Sequence, residues 1–99
     1  MLAAACRFDL RIPGVRSLKE KRHVVKSLTG SLRSRFNVSV AEVDHHDLWQ
    51  RTALGVAVVA PDGHQLRWIV HEVERLVAWF PGVLPIEATT GYFSPEDDR

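Results

Sequence analysis

Asp44-His45-His46-Asp47 places four potential metal ligands in succession, the densest set of chemistry-bearing side chains in the chain. Neighbouring residues project in different directions, whereas a zinc site gathers spaced ligands with ordered partners behind them. The run reads as a solvated turn, and no metal is assigned to it. His71-Glu72 opens like the zincin motif, but Arg75 stands where the second histidine is required. The glycines at 14, 30, 55, 63, 82 and 91 are too scattered for a dinucleotide or P-loop phosphate cradle. Cys6 falls on the apolar side of an alternating stretch, where a buried thiol is usually inert. As the single cysteine it excludes an internal disulfide and fits a reducing cytoplasm. No catalytic residue and no cofactor follow from these groups, and a non-enzymatic protein is the expectation.

Positive charge carries a stronger signal. Between Arg16 and Arg35 stand seven Lys or Arg and one acid, Glu20, so ion pairs within the segment cannot account for the composition. On a helix Lys19, Arg22, Lys26 and Arg33 fall within a narrow arc and form a row about 21 Å long. Lys21 and Arg35 land in or beside the apolar sector, where their stems can cover core edge while the charges reach water. The net charge of +1 conceals a split. Residues 1–36 hold nine basic and two acidic side chains, and residues 37–99 hold four basic and ten acidic. Such a molecule is electrostatically two-sided, and a row of unanswered cations points to a polyanion.

The elements that must position these residues are legible in the pattern. Residues 2–12 alternate, with Leu2, Ala4, Cys6, Phe8, Leu10 and Ile12 on one face, as in a half-buried strand. Pro13-Gly14 ends it. Ser17 and Glu20 have capping-box spacing, and a helix follows with Leu18, Val24, Val25, Leu28, Leu32 and Phe36 as its core sector. Residues 37–44 read as a second strand and 52–60 as a central one. Asp62 and Gln65 cap a second helix whose core stripe is Leu66, Ile69, Val70, Val73, Leu76, Val77 and Phe80. Pro81-Gly82 stops it, residues 83–90 form a last strand with Pro85 marking an edge, and 94–99 read as a flexible acidic tail.

The order βαββαβ predicts an α+β ferredoxin-like sandwich: a four-stranded antiparallel sheet with two helices on one face, in a single domain over residues 1–93. The other face is left open, with Ala3, Ala5, Arg7 and Arg11 displayed on it. No apolar run approaches the length of a membrane helix, so no membrane role is expected.

Several strings carry a resemblance. Ile12-Pro13-Gly14, Ser17 to Arg22, Phe36 to Glu42, Asp47 to Arg51 and Leu54-Gly55 together are similar to the YlxP-like family of small bacterial proteins of unknown function. The resemblance implies a ferredoxin-like fold and a cytoplasmic bacterial protein. Genes of that family often stand between those of translation initiation factor two and ribosome-binding factor A, which implies a ribosome or RNA association. It supplies no catalytic or binding residues. Acylphosphatases share the element order and hold phosphate between first strand and first helix, the place filled here by Gly14-Val15-Arg16, with Asn37 opening the second strand. The loop is shorter and lacks a cradle signature, which leaves that hydrolase a remote alternative.

Trp68 and Trp79 project opposite the second helix's core stripe, with Glu72 and Arg75 between them. Two aligned aromatics on a solvent face, with Arg75 able to lie over one, suggest a contact surface unless Tyr92 and Phe93 fold back and cover them. Trp49 in the second hairpin is a third contact candidate. The expected function is an RNA- or ribosome-binding module acting through Arg7, Arg11, Arg16, Lys19, Lys21, Arg22, Lys26 and Arg33. The alternative is a homodimer formed through the open sheet or the tryptophan face.

Overall fold

A computed structural model describes residues 1–97. The elements are β1 (Leu2–Arg11), α1 (Leu18–Arg35), β2 (Ser39–Asp44), β3 (Arg51–Ala60), α2 (Gly63–Trp79), β4 (Leu84–Phe93) and a 3-10 turn at Pro95–Asp97. Both helices start where their caps place them. Ser17 Oγ accepts from the Glu20 amide at 3.1 Å, and Asp62 Oδ1 accepts from the Gln65 amide at 2.8 Å. Glu20 bonds the Arg16 amide one residue before the cap, so the reciprocal bond expected at Ser17 is displaced by a residue.

The sheet is antiparallel throughout with strand order β2-β3-β1-β4, the ferredoxin-like arrangement. Alternation decides which face is covered. Ala4, Cys6, Phe8 and Leu10 of β1 and Leu54, Val56 and Val58 of β3 turn into one core with Leu28 and Leu32 of α1 and Leu66, Val70, Val73 and Val77 of α2. Burying these side chains is the main favourable term, about 1.5–3 kcal/mol for each large one.

The odd positions of β1 face the uncovered side. There Arg7 stands opposite Gly55 and Asp9 opposite Ala53, while Ala53 in turn pairs with Asp44 of β2. A β-bulge at Glu42/Asp44 sets Val43 out of register, and a Cβ on Gly55 would come within 2.9 Å of Val43 Cγ1. A larger residue at 55 would therefore have to displace the Val43 side chain.

β4 is an edge, as Pro85 requires, but it runs three residues further than the expected stop at Thr90 and takes in Gly91, Tyr92 and Phe93. Drawn into the strand, those aromatics do not cover the tryptophans of α2, and Trp68 and Trp79 stay 60% and 83% exposed. The tail is tied at its start, where Ser94 Oγ donates to the Met1 carbonyl at 3.4 Å and the 3-10 turn follows. The remainder of the expected tail, residues 98 and 99, lies outside the described residues. Among the described residues no helix is long and apolar enough to cross a membrane.

Candidate nucleic-acid interface

The cationic side chains separate into two groups once their partners are known. Lys19, Arg22 and Lys26 are exposed on α1, and among the described residues no carboxylate lies within ion-pairing distance of any of them. Their spacing of three and four residues keeps them on one line. Arg33 continues the line, with its guanidinium donating to the Val40 carbonyl at 2.7 Å. Since Val40 belongs to the edge strand β2, the row lies alongside that edge, and Arg33 closes part of it against pairing with another chain. Arg11 and Arg16 are exposed at the end of the molecule where α1 begins, and neither guanidinium forms an ion pair among the described residues, although the Arg16 amide donates to Glu20.

Two residues assigned to this surface are engaged within the fold. Lys21 is 1% exposed, with its ammonium 2.9 Å from Glu42 Oε2 and donating to the His45 and His46 carbonyls. Its charge never reaches water, contrary to the expectation that only its stem would be covered, because β2 brings a carboxylate and the hairpin brings two carbonyls into the apolar sector. Arg7 is exposed but engaged: its Nε lies 3.0 Å from Asp9 Oδ2 and its Nη2 lies 3.3 Å from Asp44 Oδ2. Those hydrogen bonds, first to Asp9 and then to Asp44, push the guanidinium above its ordinary value. Arg7 in return holds Asp9 below the usual carboxylate range. Asp44 is lowered first by the His45 amide and then by Arg7. Arg7 thus stands between two carboxylates, with His45 Nε2 also 3.7 Å from Asp9 Oδ1.

The His45-His46 turn has a mechanical part in the same construction. His45 adopts φ 61, and Lys21 grips both its carbonyl and the next one. His46 Nε2 contacts the Glu42 carbonyl at 3.1 Å. Among the described residues no group of three or more His, Cys, Asp or Glu side chains converges on a metal-sized space.

The loop compared with a phosphate cradle is closed. Val15 N donates to the Ile12 carbonyl at 3.5 Å, Arg16 N donates to the Glu20 carboxylate, and Gln50 Nε2 donates to the Pro13 and Val15 carbonyls. A carboxylate already occupies the place at the helix start that an incoming phosphate would take.

On α2, Arg75 bonds Glu72 at 3.2 Å and does not stack on either tryptophan. The cation–π contact among the described residues is Arg35 over Phe36, 5.7 Å from the ring centroid. A cleft of about 400 Å³ runs between the helices, lined by Ser31 and Arg35 of α1, by Glu72, Arg75, Leu76 and Trp79 of α2, and by Phe80 and Pro81 beyond it. Sequence periodicity placed Trp68, Trp79, Glu72 and Arg75 on one line, but it gave no sign that Arg35 joins Arg75 and Trp79 across the cleft. Trp49 is exposed in the β2–β3 hairpin, away from this cleft.

A family model described as "Protein of unknown function (DUF503)" matches residues 3–90. The chain belongs to the DUF503 family. It is 38% identical over 73 residues to the Bacillus subtilis (strain 168) protein named "Uncharacterized protein YlxP", covering 74% of this chain and 76% of that one. Among solved structures it resembles the de novo designed protein Foldit4 with a TM-score of 0.51 and 12% identity, covering 93% of this chain and 97% of the other. The designed protein Ferredog-Diesel superimposes with a TM-score of 0.46 and 14% identity, over 90% of this chain and 83% of that one. At 12% identity the likeness to Foldit4 speaks to the fold of this chain alone.

Proposed function

We propose that this protein is a non-enzymatic binding module for folded RNA, with ribosomal RNA the first to try, and that it docks through α1 by phosphate neutralisation. The observation that carries the reading is that Lys19, Arg22 and Lys26 stand exposed in a line with no carboxylate partner among the described residues. Cations that are neither paired nor buried release counterions when they meet phosphates, and that entropy drives the association. Arg11, Arg16 and Arg33 extend the contact, while Arg7 and Lys21 take no part. The contact is largely indifferent to sequence, because phosphates position a protein without specifying bases.

Reversing Lys19, Arg22 and Lys26 together to glutamate tests it. Helix content and melting temperature stay near wild type, since all three side chains lie in water, and affinity for structured RNA is lost. Those three cations alone contribute about −2.1 to the log-log salt slope on single strands. RNA affinity unchanged in the triple variant rules the reading out.

Self-association is a second reading, favoured by the small apolar side chains Ala3, Ala5 and Ala57 beside exposed Val59 and Phe93 on the uncovered sheet face. Light scattering separates the two: a dimer that persists in high salt and resists the triple reversal supports the sheet-face contact.

A further inference from the structure

The cleft between α1 and α2 has a composition unlike that of the phosphate-facing row. At about 400 Å³ it falls within the roughly 300–1,000 Å³ of small-ligand sites. Arg35 and Arg75 bring two guanidinium groups to it against one carboxylate, Glu72, so its wall keeps an excess positive charge. Leu76 and Phe80 are half-buried and form an apolar floor. Trp79, 83% exposed, lines the cleft from the last turn of α2. From Glu72 to Trp79 the helix advances seven residues, about 10 Å.

Each of these features fits one part of the same ligand. An exposed indole offers a flat π-face that any base can stack on, which makes it worth more to a nucleotide than to an aliphatic partner. Arg35 has no carboxylate partner among the described residues and rests over Phe36, which leaves its outer nitrogens for a phosphate. Glu72 keeps one oxygen on Arg75 and has lone pairs left to accept from the exocyclic amine of a base.

We propose that this cleft holds one nucleotide unit of a single RNA strand, its base stacked on Trp79 and its phosphate met by Arg35. The proposal rests on the RNA reading above and adds a site of different chemistry, in which stacking outweighs charge.

The test uses the full chain with Trp49→Phe and Trp68→Phe, so that Trp79 is the remaining indole, titrated with a short unstructured RNA, a blunt RNA duplex and adenosine monophosphate. The expected result is quenching of Trp79 by the single strand. Replacing it by alanine weakens single-strand binding about 5- to 150-fold and leaves duplex binding unchanged. Arg35→Gln lowers the single-strand salt slope by about 0.7. Single-strand binding with unaltered Trp79 emission and undiminished affinity in Trp79→Ala overturns the site while leaving the RNA reading intact. Loss of all RNA binding in the parent, with Trp79 still quenched by adenosine monophosphate, overturns the RNA reading and supports the cleft as a mononucleotide site. No response to any of the three probes overturns both.

Discussion

Lys21 Nζ lies 2.9 Å from Glu42 Oε2 in the interior of the sandwich, and Glu42 also accepts from the Thr52 hydroxyl. With the His45 and His46 carbonyls, the ammonium, itself 1% exposed, meets one charge and two dipoles. A helix, two strands and a turn are joined through one side chain. Removing one partner of a buried pair strands the other, at about 3–5 kcal/mol. Lys21→Met should therefore lower the urea midpoint steeply, and the added change Glu42→Met should recover much of the loss. A Lys21→Met variant as stable as wild type would show the pair to be energetically idle.

How much of this was readable in advance depends on the range of the interaction. Ser17 and Asp62 announced both helices because a cap is satisfied within three residues. The even positions of β1 announced the covered face because a strand's period acts locally. Lys21 was legible only to the extent that the helical period put it beside Leu28 and Leu32. Its partner lies on another element, and no local pattern places Glu42 against it. Arg7 and Arg35 follow the same rule, since Asp44 reaches Arg7 from β2 and Trp79 shares the cleft with Arg35 from α2. The row of Lys19, Arg22 and Lys26 was legible because no carboxylate among the described residues comes to answer it.

His45 is the non-glycine residue with positive φ among the described residues, at 61°, and its conformation is held by the Lys21 grip on its carbonyl. A left-handed conformation costs an L-residue about 1–2 kcal/mol, which glycine avoids. His45→Gly should fold with stability equal to or above wild type by up to about 1 kcal/mol, and His45→Val, β-branched, should fall below it by a similar amount. Equilibrium denaturation of the two variants gives the comparison, and equal stability of the glycine and valine forms would show that the turn relaxes freely.

The Arg7 cluster gives a pH signature. Asp9 and Asp44 have folded-state values below the usual carboxylate range, the first held there mainly by Arg7 and the second by the His45 amide and then Arg7. Unfolded carboxylates near pH 4 bind protons first, so the stabilising contribution is present above about pH 4 and is lost as pH falls through the lowered folded values. Arg7→Gln should raise the titration of both carboxyls, Asp9 the more, and move the start of acid unfolding to higher pH. Carbon-detected NMR titration reads each carboxyl separately. Because Arg7 is already occupied, the same variant should leave RNA affinity and its salt slope unchanged; a fall in the slope would return Arg7 to the binding surface.

Cys6 reports on the opposite side of the sheet. Its thiol is buried between β1 and the covering helix, and burial is the main reason its pKa is raised, with a hydrogen bond to Thr90 opposing. A protonated thiol without access does not attack an aromatic disulfide, so labelling at mildly alkaline pH should wait for the structure to open. Val73→Ala removes core volume on α2, at a cost of about 1–3 kcal/mol. If Cys6 is released only by global unfolding, its labelling rate should rise by the factor that this destabilisation implies, and it should climb with urea along the unfolding slope. If labelling is instead fast and indifferent to Val73→Ala, β4 separates from β1 on its own. The exposed face of that edge strand, from Leu84 to Phe93, would then be the least stable part of the fold.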